Sequence, residues 1–297
     1  MKIVVGGASG FLGAALVDHL RTSGHDVTRL VRSAEPAPDA FSWNPSEGAV
    51  DQAVIDAADI VVNLSGEPIS HWPPTKRWQE EVLASRLAAT TTLASAIAHA
   101  PRPPTLLSAS GMSAYGADRG DEILTEASSA GTGFLAEVVH AWEAATRAAS
   151  DAGGRVCLLR TTLAVDRSGG LLKPQLPAFR AGLGARLGSG RQHMSLISRT
   201  DWVRAVAFLA ERDDLSGPFN LGIPGDATNG EFTDAVAEAL GRKARFAAPA
   251  RAIKLGAGPV AEDLLGSLRV KPQALLDAGF TFDHADLADV VDAALHG

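Results

Sequence analysis

Short runs of consecutive apolar residues alternate with longer amphipathic stretches along the first half of the chain. The runs are rich in Val, Ile and Leu and lack polar alternation, which is typical of strands covered on both faces. They predict strands at residues 2–5, 26–31, 59–64, 106–110 and 155–163. Apolar positions with a helical period predict intervening helices at residues 11–23, 77–100 and 134–152. Strands joined by helices form βαβ units, so this half predicts a parallel sheet.

The pattern changes after about residue 162, where glycines and prolines predict a loop-rich stretch. Further elements are predicted beyond it, namely a helix at 201–212, a strand at 218–221, and helices at 229–240 and 286–295. The fold class is therefore α/β, a Rossmann-type doubly wound parallel sheet with a smaller C-terminal α+β lobe. We expect the Rossmann domain to span residues 1–165, with a return of the chain at about 200–222. The smaller lobe, 166–297, is interleaved with it.

A glycine-rich turn, Gly7-Ala8-Ser9-Gly10-Phe11-Leu12-Gly13, joins the first predicted strand to the first predicted helix. Glycines spaced as G-x-x-G-x-x-G permit a tight turn and let backbone N–H groups approach a pyrophosphate. The helix N-terminus adds a favourable dipole for the anion. The turn predicts a dinucleotide site whose residues are Gly7, Gly10, Phe11, Leu12 and Gly13.

The end of the second strand indicates which dinucleotide binds. An acid there accepts a hydrogen bond from the ribose 2′-OH of NAD, whereas an arginine grips the 2′-phosphate of NADP. Here Arg32 and Ser33 follow the strand, and no acid occurs before Glu35. We predict NADP(H), with NAD(H) less favoured; the alternative for Arg32 is a solvated surface charge.

Composition and charge limit the other classes of function. The chain has 297 residues and a net charge of −7, without a block of Lys and Arg. We therefore expect neither a nucleic acid nor an anionic membrane as a partner. No stretch is apolar enough for a signal peptide or a membrane span, which predicts a cytoplasmic protein. Cys157 lies in an apolar run and is expected to be buried, and no histidine pair has metal-ligand spacing, so no metal site is predicted.

With these residues in view, nearly the whole chain resembles the extended short-chain dehydrogenase/reductase superfamily. Asn63-Leu64-Ser65-Gly66 is similar to its N-x-A-G segment beside the cofactor, and Leu107-Ser108-Ala109-Ser110 resembles the serine-bearing strand end of epimerases. More narrowly, the chain resembles an epimerase-like subgroup of NADP-binding proteins. The shared segments are Gly66-Glu67-Pro68-Ile69, Lys76-Arg77-Trp78, Ser85-Arg86, Ala141-Trp142-Glu143, Gly188-Ser189-Gly190, Thr228-Asn229-Gly230-Glu231-Phe232 and Arg269-Val270-Lys271-Pro272.

The resemblance implies further cofactor contacts, which fall on Leu64, Ser65, Gly66, Arg86 and Ser108. It also implies a catalytic set of Asn, Ser and a Tyr-x-x-x-Lys pair. Ser110 matches the serine, but Arg86 stands where the family has Asn. The Tyr and Lys positions fall on Leu135 and Val139, which cannot titrate. The active site is therefore expected to be atypical.

Three side chains are candidates to replace the missing pair. Ser110 offers a hydroxyl near the predicted nicotinamide, Glu67 a carboxylate that becomes a base when desolvated, and Tyr115 a phenol. Tyr115 and His193 are also the candidate substrate-binding residues. For each of them a purely structural role is the alternative.

Two further predictions concern a lid over the site and the assembly of the protein. His71-Trp72 with Lys76-Arg77-Trp78 is predicted to form a lid, or else to pack between loop and helix. Family members often pair through two helices, here 77–100 and 134–152, so a homodimer is expected unless those helices only cover their own sheet.

Two functions stay open. One is an NADP(H)-dependent, epimerase-like oxidoreductase that moves hydride between the cofactor and a small hydroxyl or carbonyl substrate. The other is a non-catalytic NADPH-binding sensor or regulatory module, which the missing Tyr and Lys favour. A second lobe able to enclose a ligand favours the enzyme.

Overall fold

A computed structural model of the chain describes residues 1–33, 35–69 and 75–297. In chain order the strands are β1 (Lys2–Gly6), β2 (Asp26–Val31), β3 (Ala40–Ser42), β4 (Ile60–Asn63), β5 (Thr105–Gly111), β6 (Ile123–Leu124), β7 (Val156–Thr161), β8 (Leu163–Asp166), β9 (Gly169–Gly170), β10 (Ala185–Leu187), β11 (Leu196–Ser198), β12 (Gly217–Leu221), β13 (Phe246–Ala248) and β14 (Arg269–Val270).

The helices are α1 (Phe11–Thr22), α2 (Gln52–Asp56), α3 (Lys76–His99), α4 (Phe134–Ala144), α5 (Arg147–Asp151), α6 (Leu176–Arg180), α7 (Arg199–Glu211), α8 (Asn229–Ala239), α9 (Ala250–Ala257), α10 (Ala261–Leu265), α11 (Gln273–Asp277) and α12 (Leu287–His296). Short 3₁₀ turns occur at Pro45–Glu47, Met112–Tyr115 and Gly258–Val260. Within the described residues, no helix is long and apolar enough to cross a bilayer.

The largest sheet of the described chain has the strand order β12-β7-β5-β4-β1-β2-β3. β1 pairs in parallel with both β2 and β4, and the pairs β2–β3 and β4–β5 are also parallel. The chain thus moves outward from β1 in both directions, as in a doubly wound Rossmann sheet. This confirms the predicted fold class. The order reverses between β1 and β4, and such reversal points are where these sheets bind ligands, beyond the carboxyl ends of the strands.

Burial explains why the strand runs lack polar alternation. Ile3–Gly6 of β1 and all four residues of β4 are buried, because helices cover both faces of the sheet. α1 buries Leu16, Val17 and Leu20, whose spacing of three and four residues gives one apolar face. The observed α1 and β2 agree with their predicted bounds to within one residue.

Two predicted elements are each divided in the structure. Residues 134–152 form α4 and α5 rather than one helix; at the break, Thr146 Oγ1 donates to the Glu143 carbonyl at 2.7 Å. Residues 155–163 form β7 and the start of β8. The break falls at Thr162, whose Oγ1 donates to the Leu221 carbonyl at 2.7 Å.

The chain divides into two compact, interleaved units. The first comprises Met1–Ser110, Val138–Leu159 and Val203–Pro218; the second comprises Gly111–Glu137, Arg160–Trp202 and Phe219–Gly297. The roles assigned to the predicted domains, cofactor binding and substrate binding, stay predictions.

The second unit has its own core and small sheets. The strand orders are β11-β8-β9, β10-β13 and β14-β6. Phe179, Phe232, Val236 and Val290 are among the residues of its main apolar cluster. α8 begins with a capping box, in which Thr228 and Glu231 exchange side-chain and backbone hydrogen bonds. The sequence Thr-Asn-Gly-Glu at this position therefore has a local structural role.

Candidate functional site

The glycine-rich turn packs tightly against the chain that follows β4. Gly7 has a φ of +78°, and a Cβ on it would lie 2.6 Å from the carbonyl carbon of Leu64. A Cβ on Gly13 would lie 2.2 Å from the carbonyl oxygen of Gly7. Only glycine fits either position without moving backbone. Close packing of main chain therefore fixes the shape of this turn.

The N-cap residue of α1 provides no side-chain acceptor for the first turn of the helix. The N-cap is Gly10, and the first turn contains no acidic residue. The Gly10 N–H itself donates to the Gly7 carbonyl at 3.0 Å, which closes the turn. A helix of this length places partial positive charge at its N-terminus. The turn therefore offers an anion backbone donors without a competing carboxylate.

Ser65 supplies a buried hydroxyl, Oγ, that has no hydrogen-bond partner among residues 1–33, 35–69 and 75–297. It lies 3.0 Å from the place that a Cβ on Gly6 would occupy, so it faces the end of β1 beside the turn. An unsatisfied buried hydroxyl costs about 1–3 kcal/mol. The phosphate and ribose oxygens of a dinucleotide are suitable acceptors for it. The residues present therefore fit such a cofactor.

Asn63 and Thr90 connect the end of β4 to two helices. The buried Asn63 side chain donates to Thr90 Oγ1 at 2.9 Å and accepts from the Ser65 N–H at 3.1 Å. Thr90 Oγ1 also accepts from the indole N–H of Trp142 at 2.8 Å. This network holds the backbone of residues 63–65 beside the glycine turn, where the Leu64 N–H donates to the Gly6 carbonyl.

Arg86 anchors the next part of the same loop. Its Nη1 donates to the backbone carbonyls of Glu67, at 2.9 Å, and Val82, at 3.0 Å. The guanidinium carbon lies 5.0 Å from the centre of the Trp142 ring. Burial lowers the pKa of Arg86 to about 10, opposed by the negative charge of Glu67. Arg86 therefore remains charged at neutral pH and keeps Glu67 in place.

Arg32 and Ser33 lie at the end of β2, next to the turn. Gly6 and Leu30 are register partners in β1 and β2, so Arg32, which directly follows the last residue of β2, lies at the strand end that adjoins the glycines. Arg32 is exposed, and its side chain forms no ion pair or hydrogen bond with described residues. Ser33 Oγ interacts only with the backbone of Glu35, at 3.2 Å.

Ser110 lies near the end of β5 and is hydrogen-bonded to a carboxylate. Its Oγ donates to Glu143 Oε1 of α4 at 2.5 Å, and the serine is only 5% exposed. Ser108, two residues earlier on β5, is fully buried, and its nearest acceptor is the Ala109 carbonyl at 3.5 Å. The Ser110–Glu143 pair joins a hydroxyl to a proton acceptor in the first unit.

Tyr115 is held inside the second unit. It is fully buried, its hydroxyl donates to Asn220 Oδ1 at 2.7 Å, and Arg160 donates to the same hydroxyl at 3.1 Å. The Arg160 guanidinium also stacks on the Tyr115 ring. Burial raises the pKa of Tyr115, so the phenol stays protonated at neutral pH. These contacts are those of a structural residue; its catalytic and substrate-binding roles stay predictions.

His193, also in the second unit, is mostly buried. Its backbone N–H donates to Ser267 Oγ at 3.0 Å, and its Nε2 lies 3.3 Å from Asp121 Oδ1. Its Nδ1 is buried and has no hydrogen-bond partner in the part of the chain that the structure describes. The predicted contact of His193 with substrate stays a prediction.

The structure also bears on the predicted lid, on Cys157 and on metal binding. His71-Trp72 of the predicted lid lies outside the described residues, whereas Lys76, Arg77 and Trp78 form the first turn of α3. Cys157 is buried as predicted, and burial raises the pKa of its thiol to about 11. In residues 1–33, 35–69 and 75–297 no three His, Cys, Asp or Glu side chains form a group that could hold a metal.

Sequence reasoning missed the partners that fix the site. Glu143 is 33 residues from Ser110, and Thr90 is 27 from Asn63, so neither contact has a local signal. The segment Ala141-Trp142-Glu143 was part of the family resemblance and is the one pointer that marked Trp142 and Glu143.

The profile of the NAD-dependent epimerase/dehydratase family matches residues 3–222. The chain belongs to this family. A second profile, a domain of unknown function called DUF1731, matches residues 248–294 of this epimerase-family protein.

Individual relatives of the same family cover nearly the full length. Epimerase family protein Mb2239 of Mycobacterium bovis is 40% identical over 98% of this chain and 97% of its own. Human epimerase family protein SDR39U1 is 33% identical, with 97% of each chain covered. A crystal structure of human SDR39U1 (isoform 2) with NADPH has a TM-score of 0.90, 31% identity, and 99% coverage of both chains.

Gly13→Ala tests whether close packing shapes the turn. The added methyl would meet the Gly7 carbonyl oxygen, so the turn must shift. We expect NADPH affinity, measured by calorimetry, to fall more than about tenfold, because the backbone donors lose their common geometry. Ala14→Ser, at the neighbouring exposed position, is the control and should bind normally. Normal binding by Gly13→Ala would show that the turn does not hold the cofactor.

Ser65→Ala should change stability and affinity in opposite directions. Without ligand, removal of the unsatisfied hydroxyl should raise the free energy of unfolding by about 1 kcal/mol. NADPH affinity should fall about two- to tenfold, because one hydrogen bond to the cofactor is lost. Denaturant melts and calorimetry measure the two effects.

Ser195→Ala is the matched control for stability, because this buried hydroxyl is bonded to both Leu268 and Val270. That variant should be less stable than the wild type. A Ser65→Ala protein that is destabilised, or that binds NADPH as well as the wild type, contradicts the assignment.

Proposed function

We propose that this epimerase-family protein is an NADP(H)-binding oxidoreductase that acts on a small substrate bearing a hydroxyl or carbonyl group. The observation that carries the proposal is the glycine turn with the unpartnered Ser65 hydroxyl beside it. A turn shaped by backbone contact, a helix with no acidic residue in its first turn, and a buried donor without an acceptor among the described residues together suit a dinucleotide.

The choice of NADP(H) over NAD(H) rests on Arg32. Its guanidinium is exposed and unpaired among the described residues, at the strand end that adjoins the turn. A guanidinium binds a phosphate bidentately, whereas the ribose 2′-OH of NAD calls for an acid at this position. The presence of NADPH in the crystal structure of human SDR39U1 agrees with this choice.

The Ser110–Glu143 pair is the proposed route for the substrate proton. Bound NADP(H) supplies hydride transfer at its nicotinamide. Because Ser110 already donates its proton to Glu143, its oxygen lone pairs are available to accept the proton of a substrate hydroxyl. The serine proton then passes to the Glu143 carboxylate, which becomes neutral as the substrate hydroxyl becomes a carbonyl. Carbonyl reduction runs the same transfers backwards. Glu67, which lies beside Arg86, is the alternative base.

A non-catalytic NADPH-binding module is the second candidate. Two observations favour it. Val139, at the family's lysine position, is a buried apolar residue, and the phenol of Tyr115 is fully buried and bonded to protein groups. Turnover separates the two candidates. The expected pairing of two copies through residues 77–100, which correspond to α3, and 134–152, which form α4 and α5, stays a prediction.

Arg32→Ala tests the cofactor preference. We expect NADPH affinity to fall by about 10- to 100-fold, the size of a lost charged hydrogen-bond pair, while NADH affinity stays the same. Arg29→Ala is the matched control, because this arginine of β2 is bonded to Asp39 and should not touch the cofactor. Equal losses for both coenzymes, or none, would refute the 2′-phosphate contact.

Variants of Ser110 and Glu143 test the proton route. With a panel of aldehydes and ketones, NADPH oxidation should fall at least about 100-fold in Ser110→Ala and in Glu143→Gln, because proton transfer is lost. NADPH affinity should be unchanged in both. Glu137→Gln, an exposed position on the same helix, is the control.

The same assay decides the remaining alternatives. A large loss in Glu67→Gln with normal rates in Glu143→Gln would assign the base to Glu67. NADPH binding without oxidation by any carbonyl compound would favour the binding module.

A further inference from the structure

Two long stretches of the second unit contain no acidic residue, although the chain as a whole carries a net charge of −7. They are residues 167–200 and 239–261. Within them, cations cluster at Arg180, Arg186, Arg191, Arg242, Lys243, Arg245, Arg251 and Lys254. Each stretch alone is only modestly basic, so neither forms a Lys/Arg block in chain order.

The fold brings the two stretches together. β10 and β13 pair in parallel, with Ala185 opposite Phe246 and Leu187 opposite Ala248. Before the strands, Arg242 Nε donates to the Arg180 carbonyl at 2.9 Å. α9 follows β13 directly and has Pro249 as its N-cap. We call the surface formed by β10, β13, α9 and the eight cations above the basic face.

The cations of the basic face are not neutralised by ion pairs. None of the eight forms an ion pair with any residue that the structure describes, and all except the half-buried Arg186 are exposed. Arginines elsewhere commonly do form such pairs, including Arg21, Arg29, Arg119, Arg212 and Arg269. The positive charge of this face is therefore available to an external anion.

Asp234 and Glu238, two exposed acidic residues of α8 that precede the second stretch, form no ion pair with any of the eight cations. Glu231 of α8 is engaged in the capping box with Thr228. Glu262 and Asp263 lie on α10, which packs against α9. Burial raises the pKa of Asp263 to about 6, so its carboxylate is still mostly charged at pH 7 and offsets part of the positive charge beside α9.

Large hydrophobic side chains are exposed on the segments that carry these cations. Leu255 of α9 is 91% exposed, Leu183 before β10 is 58% exposed, and Phe246 of β13 is 50% exposed. Leu255 is one residue after Lys254 and four after Arg251, so all three lie on one side of the helix. Exposed apolar side chains among unpaired cations are typical of surfaces that bind the interface of an anionic membrane.

We propose that the basic face docks on the surface of an anionic lipid membrane, with its cations at the lipid phosphates and Leu183, Phe246 and Leu255 in the interfacial region. A bilayer can accommodate hydrophobic side chains from three separate segments, because lipids rearrange around each side chain that enters. A nucleic acid would match the charge but leave the leucines in water. The order of residues along the chain does not predict a membrane partner, because the cations of the basic face are brought together only by the pairing of β10 with β13.

Vesicle co-sedimentation of the full chain tests this proposal. The protein should bind vesicles of phosphatidylcholine mixed with phosphatidylglycerol at low salt, and much less to phosphatidylcholine alone. Each cation near such a surface contributes roughly fivefold to the partition coefficient, so Arg251→Glu/Lys254→Glu should lower it at least about tenfold. At about 0.5 M NaCl, where the screening length is roughly 4 Å, binding should weaken strongly. Leu255→Ser should weaken it severalfold without any change in charge.

Arg102→Glu/Arg147→Glu is the matched control, because it makes the same change of net charge at exposed positions in the first unit. The loss of the surface pair between Arg102 and Asp59 should matter little. This control should bind vesicles like the wild type, and NADPH affinity should be the same in all these proteins.

Three results would overturn the proposal. One is a wild-type protein that binds no vesicle at low salt. Another is equal loss of binding in the control and in Arg251→Glu/Lys254→Glu. The third is tight binding to a DNA duplex or to polyglutamate without binding to anionic vesicles, which would assign the face to a different anionic partner.

Discussion

The contact between the Gly7 carbonyl and Gly13 is the constraint on which the candidate site depends. It leaves no space for a Cβ at Gly13, and the approach of Leu64 leaves none at Gly7. Main chain from β1, α1 and the segment after β4 therefore meets at van der Waals distance. Because close contact holds the turn before any ligand arrives, its backbone donors are already oriented. Binding therefore loses little of the conformational entropy that ordering a loop usually requires.

Hydrogen bonds then position the side chains around this packed turn. Thr90 Oγ1 accepts from both Asn63 and Trp142, so one hydroxyl fixes the end of β4 relative to α3 and α4. Arg86 stacks on the same indole ring and holds the backbone at Glu67. Removal of any of these groups leaves a buried partner unsatisfied, which makes the network costly to disrupt.

Local patterns predict the parts of this protein that have local causes. The apolar run of β2, the periodicity of α1 and the glycine spacing were sufficient to place the Rossmann sheet and its turn. The break between α4 and α5 lies at Thr146, and the apolar periodicity of residues 134–152 does not reveal it. Ser110 and Glu143 meet only because β5 and α4 are adjacent in the fold. The basic face likewise has no local signal in the sequence, because its two cationic stretches are joined only by the pairing of β10 with β13.

The interleaved order of the chain has a consequence for its biosynthesis. β5 is an inner strand of the finished sheet, but its neighbour β7 begins 45 residues after β5 ends, at Val156, and β12 follows only at Gly217. While the nascent chain is still emerging from the ribosome, β5 therefore presents an unpaired edge. Exposed strand edges recruit other chains. Newly made copies on one polysome are thus most vulnerable to mispairing during this interval, and a chaperone that shields β5 would protect them most.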